Sequence, residues 1–217
     1  MKITSVEPQK KNMHRFNIFL DGQFAFGADE DLVVERRLVA GKEIAPEDME
    51  KILFDAEVGK LMEKVYGQFN IRMRSEKEVK DYFRRVSFKR KIKDGEEISD
   101  MVIEATIDRA KNKGLINDSE FAKAWMEARS KKYGVNRIRQ ELYQKGIDRE
   151  IIDRILNNES RIMDGTEVAE KLIEKKMRSW KNLEQVKLKK KAYDYLIRRG
   201  FEFSIIKTVV EKLLEKR

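Results

Sequence analysis

Five arginines and a run of lysines are the side chains best placed to do chemistry. Arg72 and Arg74 lie just before an acidic stretch, and Arg129, Arg137 and Arg139 surround another set of carboxylates. A guanidinium offers forked donors that match a phosphate or a carboxylate equally well. These side chains can therefore bind phosphate, or can pair with Glu76, Glu78, Glu127 and Glu141. Lys187, Lys189, Lys190 and Lys191, with Lys175, Lys176, Arg178 and Lys181 upstream, are less ambiguous. Residues 171–199 carry eleven cations against three carboxylates, a net +8. Helices that are charged only for solubility tend to alternate sign at i,i+4, so a one-sided excess points to phosphate or to an acidic partner surface.

Catalytic chemistry has little to stand on. The one histidine, His14, precedes a turn and has no partner at metal-ligand spacing, and the absence of cysteine excludes thiolate metal sites, disulfides and thiol nucleophiles. No glycine-rich phosphate loop or dinucleotide fingerprint occurs, so any ATP hydrolysis belongs to a partner. No cofactor or metal is expected. Asn158-Glu159-Ser160 matches a glycosylation acceptor by coincidence, because Met1 to Pro8 lacks the apolar core of a signal peptide. No apolar run approaches the ~18 residues of a membrane span. A cytoplasmic protein without a membrane partner is expected.

The chain of 217 residues is 40% charged and 41% hydrophobic, with a net charge of +9 and a pI near 9.5. That balance suits a charge-coated globular protein and suggests a polyanionic partner. The charge is polarised: residues 1–57 carry eight cations and twelve carboxylates, a net −4. This end suits packing or a protein contact better than DNA.

The elements that must position these groups are legible as two textures. Asp21-Gly22 separates the aromatic-rich runs Arg15 to Leu20 and Gln23 to Gly27, a hairpin signal, and Ile3 to Val6 offers a third strand. Asp29-Glu30-Asp31 and Ala45-Pro46-Glu47-Asp48 then read as helix starts, and no proline follows Pro46. The remainder is expected to be helices punctuated by glycine. Leu142, Gly146, Ile147, Ile151, Ile152 and Ile155 recur as Leu196, Gly200, Phe201, Ile205, Ile206 and Val209, always 54 residues on. A looser first copy places Phe83 at the Leu142 position, Ile98 at Ile151 and Val102 at Ile155, with about six extra residues and a basic, extended connection from Ser87 to Gly95.

Each copy opens with another helix: Ala56 to about Phe69, Asp118 to about Lys132 and Thr166 to about Met177. Asn117 or Asp118 can cap the second. Gly114, Gly146 and Gly200 end helices. Phe121, Ala122, Trp125 and Met126 have core spacing, whereas Tyr193, Tyr195 and Phe201, standing among cations, suit either core or base stacking. The expected fold is mainly α: three tandem three-helix repeats in an elongated curved array, preceded by a small β-hairpin or sheet module. Its divisions are 1–55 (hairpin plus short helices), 56–117 (repeat 1), 118–160 (repeat 2) and 161–217 (repeat 3, basic).

Several ordered motifs resemble the RecX family, regulators of the RecA recombinase. They are Arg72-Met73-Arg74-Ser75-Glu76-Lys77-Glu78-Val79; Gly114 to Ala122 with Trp125 and Arg129; Gly134 to Gly146 with Arg137, Glu141, Leu142 and Lys145; and Arg198-Arg199-Gly200-Phe201. Asn17 to Gly22 with Phe24 to Gly27 resembles the hairpin extension of longer members. The resemblance implies a monomeric, non-enzymatic modulator that binds RecA filaments and chiefly inhibits strand exchange and ATP hydrolysis in recombination, repair and the SOS response. Some members bind single- or double-stranded DNA directly. Candidate contacts are Arg72, Arg74, Arg129, Arg137, Arg139, Lys145, Lys189, Lys190, Lys191, Arg198 and Arg199. An autonomous helical DNA-binding protein is the alternative, since three-helix units with a basic helix resemble helix-turn-helix modules.

Overall fold

The computed structural model describes residues 1–93, 95–158 and 165–215. The Asn158-Glu159-Ser160 match and the expected division at 160/161 therefore fall partly or wholly outside the described residues. The chain separates into two compact units, Met1–Ile116 and Asn117–Arg217.

In the first unit, β1 (Ile3–Gln9), β2 (Asn12–Leu20) and β3 (Gln23–Asp29) form an antiparallel sheet in sequence order. The β2–β3 turn is the expected one: Asp21 and Gly22 take φ of 47° and 84°, the positive pair that a type I′ turn requires. Asp29 then caps α1 (Glu30–Glu35), accepting from the Leu32 amide at 2.9 Å. The same carboxylate packs against Gly59, where a Cβ would sit 2.6 Å from Asp29 Oδ2.

Separate short helices before residue 56 and a new helix from Ala56 were expected, but α2 (Pro46–Phe69) is one helix of 24 residues. Position 56 is where it changes duty. Ile52 and Ala56 close the core over the sheet with Ile3, Ile18, Phe26 and Leu32. Val58, Leu61, Met62 and Val65 face a different core, built with α3 (Glu76–Ile92) and α4 (Asp100–Asn112). A continuous apolar stripe shared by two cores gives the helix no reason to break.

The first repeat corrects the expected alignment. Ser87 to Ile92 is helix, the end of α3, rather than extended chain. Ile98 is buried two residues before α4, as Ile147 is before α7 (Arg149–Asn158) and Phe201 before α10 (Phe203–Glu215); it matches those residues and not Ile151. The cause is a single position. Four residues beyond the buried Leu142 and Leu196 stand Gly146 and Gly200, with φ of 78° and 79°, which stop their helices. Four residues beyond buried Phe83 stands Ser87, which has no such freedom. It stays helical and buried, and its hydroxyl accepts the Ile98 amide at 2.9 Å.

The second unit repeats the three-helix arrangement twice: α5 (Asp118–Ser130), α6 (Val135–Gln144) and α7 around Phe121, Ala122, Met126, Ile138, Leu142 and Ile152, then α8 (Gly165–Trp180), α9 (Gln185–Arg198) and α10 around Val168, Ile173, Ala192, Leu196, Phe201 and Val209. Asn117 caps α5 through the Ser119 and Glu120 amides. The two repeats meet end to end. Gly134, the N-cap of α6, donates to the Arg199 carbonyl at 2.9 Å and Asn136 donates to the Gly200 carbonyl at 3.1 Å. Unpaired amides at one helix start thus satisfy unpaired carbonyls at another helix end, with the dipoles aligned. A Cβ on Gly134 would overlap the Gly200 carbonyl, and one on Gly200 would overlap the backbone of Arg137.

This contact predicts unequal costs for similar substitutions. Gly114→Ala meets only the positive-φ penalty, having open space around it, and should cost about 1 kcal/mol. Gly134→Ala must push two backbones apart and should cost about 3 kcal/mol. Urea unfolding of the two variants checks the order; equal losses would contradict the tight junction.

Candidate functional site

Four residues spaced by four, Arg129, Tyr133, Arg137 and Glu141, cross the turn from α5 into α6 and form the centre of a cationic cluster. Arg129 donates twice to Glu141, from Nε to Oε2 at 2.7 Å and from Nη2 to Oε1 at 2.9 Å. Arg137 Nε adds a 3.2 Å contact to Oε1, and the Trp125 indole N–H donates to Oε2 at 3.1 Å. Burial opposes ionisation of Glu141, but the donors Arg129, Arg137 and Trp125 outweigh it and hold the carboxyl below its usual range. Arg129 is in turn held above the ordinary guanidinium value by its hydrogen bonds to Glu141.

Three guanidiniums surround the Tyr133 ring: Arg137 at 4.7 Å, Arg129 at 4.9 Å and Arg199 at 5.2 Å from its centroid. Lys145 lies 4.7 Å from the Trp125 ring. Aromatic faces accept cations at such distances, so the rings orient the charges without neutralising them. The α6–α9 junction supplies the rest: Arg199 Nη1 donates to the Lys132 carbonyl at 3.0 Å, and Arg137 Nη1 reaches the Arg198 carbonyl at 3.3 Å. The result is one cluster of Arg129, Arg137 and Arg199 around Tyr133, with Glu141 as its central carboxylate and the Lys132 and Arg198 carbonyls as acceptors.

The other candidates lie elsewhere. Arg72 is bound in a fork to Glu78 at 2.8 and 2.9 Å, which raises its pKa and staples the chain to the start of α3. Arg74 is half-buried, and its Nε has no acceptor among the described residues. Arg139 points away from Glu141 and pairs with Asp153 of α7, a carboxylate that sequence spacing did not single out. Glu76 pairs with Lys80 and Lys111. Lys189, Lys190 and Lys191 are exposed on α9, without ion-pair partners among the described residues. They precede Arg199 by eight to ten residues, about 12–15 Å along the helix. Phe121, Ala122, Met126 and Phe201 are core residues, while Trp125, Tyr193 and Tyr195 are half-buried. His14 is exposed beside Glu30, at 3.2 Å.

Sequence reasoning missed Tyr133. The four-residue spacing of Arg129, Tyr133, Arg137 and Glu141 was the available signal, obscured because a turn interrupts the helix between them.

A family model described as the Regulatory protein RecX N-terminal domain matches residues 1–45. The second and third three-helix domains of RecX match residues 117–156 and 164–210. Regulatory protein RecX of Bacillus subtilis is 35% identical over 213 residues, spanning 97% of this chain and 76% of that protein. The chain belongs to the RecX family. Regulatory protein RecX of Listeria monocytogenes is 32% identical, over 95% of the chain and 74% of the relative. A crystal structure of regulatory protein RecX superposes with a TM-score of 0.73 at 26% identity, covering 97% of this chain and 98% of the other. RecX from Lactobacillus salivarius shares the fold, with a TM-score of 0.60 at 22% identity over 72% of this chain and 96% of that one. Among the described residues no helix of this RecX-family chain is long and apolar enough to cross a membrane, and no cluster of three metal-ligating side chains occurs.

Glu141→Gln removes the charge that Arg129 and Arg137 share and should cost about 2 kcal/mol of second-unit stability, read by urea unfolding. Because the folded carboxyl is shifted down, its contribution is complete above the ordinary value near 4.3 and fades as pH falls through the lower folded value. The stability difference between wild type and variant should thus be flat from about pH 6 to 8 and shrink below about pH 4. A difference that grows on acidification would contradict the network.

Proposed function

We propose that this chain is a regulator of RecA that binds the RecA nucleoprotein filament and lowers its ATP hydrolysis and strand exchange. Similarity to Regulatory protein RecX across 97% of the chain carries this reading. The cationic surface at the α6–α9 junction supports it by giving repeats 2 and 3 a shared face for phosphate or for carboxylates of a filament subunit. The chain acts as a cytoplasmic monomer, and by binding rather than by catalysis. Several repeats contacting successive subunits or the bound strand combine modest individual affinities into tight association. Inhibition follows where the bound chain bridges protomers, blocks the incoming duplex or favours subunit arrangements that hydrolyse ATP slowly.

A second reading, autonomous DNA binding, is favoured by Lys189, Lys190 and Lys191, which stand exposed without carboxylate partners among the described residues. On that reading affinity comes from phosphate neutralisation, and bare DNA competes with the filament at physiological salt.

Titrating the protein into RecA from the same organism on single-stranded DNA should lower ATP hydrolysis and strand exchange. Unchanged rates at saturating protein would overturn the proposal. In the same assay K189E/K190E/K191E should weaken filament association, with unaltered circular dichroism. On bare single-stranded DNA the neutral set K189Q/K190Q/K191Q should reduce the salt slope of log affinity by about 2. If duplex binds as tightly as RecA-coated DNA, the second reading replaces the first.

A further inference from the structure

On α9 the buried residues Leu188, Ala192 and Leu196 are spaced by four and share one face. Lys189, Tyr193 and Ile197 each follow one of them by a single position, so they form the adjoining stripe. Val186 and Lys190, seven and three residues before Tyr193, widen that stripe. It is open to solvent although largely apolar: Val186 is 81% exposed and Ile197 56%. Phe203, the first residue of α10, is 67% exposed and stands beside Tyr193, with ring centroids 6.1 Å apart at an interplanar angle of 49°. Single exposed apolar residues are ordinary, but a group of this size on one stripe marks a contact surface.

Two properties separate this face from the rest of the basic surface. The rings of Tyr133 and Tyr195 already carry a guanidinium, Arg199 lying 5.2 and 5.1 Å from their centroids. Among the described residues no cation lies over Tyr193 or Phe203, so a planar face is left for a ligand. The cations stand beside these rings instead. Lys189 and Lys190, one turn before Tyr193, are exposed with no ion-pair partner among the described residues. Lys207, one turn beyond Phe203, reaches Glu211 at 4.0 Å. From Gln185 to Lys207 the chain carries seven cations against two carboxylates, Asp194 and Glu202. Of these, Glu202 lines the cavity at the α6–α9 junction with Tyr133 and Gly134.

We propose that Tyr193 and Phe203 form a stacking platform for unpaired bases, with Lys189 and Lys190 holding the flanking phosphates, so that this face selects single-stranded over duplex nucleic acid. This selectivity rests on the reading in which the α9 lysines meet phosphate, and adds what lysines alone do not supply. Charge by itself favours the denser phosphates of a duplex. A ring takes up a base only where the base face is open, and paired bases are stacked on one another inside the duplex. Each nucleotide of a single strand brings one π-face and one phosphate, which matches a ring pair rimmed by lysines. A second copy of the chain fits poorly, because it would set lysines against lysines.

The test uses the full chain and fluorescein-labelled probes read by anisotropy at one salt concentration: a short oligothymidylate, an abasic strand of the same length, and a duplex. Wild type should bind oligothymidylate about tenfold more tightly than the abasic strand, the effect of a stacked base. F203L, which keeps the charge and an apolar side chain at an exposed position, should bind the two strands alike and leave duplex affinity unchanged, with unaltered circular dichroism. F203W, which keeps a planar ring, should retain the preference. K189Q/K190Q/K191Q should weaken both strands by the same factor. Equal binding of the two strands by wild type, an undiminished preference in F203L, or its loss in F203W would overturn the platform; if the lysine variant still weakens both strands, DNA binding by α9 stands without it. A lysine variant that weakens neither strand overturns that reading and the platform together. Weaker filament association of F203L at unchanged oligothymidylate affinity would also overturn the platform, since the occupant would then be a protein segment.

Discussion

Two peptide hydrogen bonds, Gly134 to Arg199 and Asn136 to Gly200, set the geometry on which the rest of the second unit depends. They join the start of α6 to the end of α9 at a separation that only glycine permits on both sides. Because each helix end supplies what the other lacks, the junction needs no capping side chain, and Arg137 and Arg199 gather instead around the Tyr133 ring. Their direction is then set by aromatic rings and a single carboxylate. The surface is basic because Glu141 is shared by Arg129, Arg137 and Trp125 rather than matched charge for charge.

The same logic explains why the first repeat departs from the other two. Where Gly146 and Gly200 end their helices, Ser87 continues one, and the two added turns leave Phe88 and Ile92 in solvent. One residue type at one register position thus decides whether a repeat ends in a compact turn or in a projecting basic helix. The overall plan survives because Ser87 compensates inside the core by binding Ile98.

Much of the fold was legible. The Asp21-Gly22 turn, the third strand, a cap at Asn117 or Asp118, which the structure gives to Asn117, and the helix-ending glycines all followed from local conformational preference, which sequence reports directly. The long α2 and long α3 did not, since continuing a helix leaves no punctuation to read, and the absence of a stop is a weaker signal than its presence. Sites were harder. Arginine beside carboxylate in sequence left phosphate binding and internal pairing open, and the structure gives Arg72 and Arg139 internal partners while orienting Arg137 and Arg199 on the junction. That difference is tertiary: it depends on Tyr133 and on the end of α9 meeting the start of α6, which no spacing within either segment encodes.

Hydrogen–deuterium exchange of the chain, free and bound to RecA–single-stranded DNA filaments, tests most directly whether the junction is the working surface. Peptides covering 129–141 and 195–203 should gain protection together on filament binding, because one locked surface carries both. Protection in only one of them, or in neither while the filament is bound, would contradict the account.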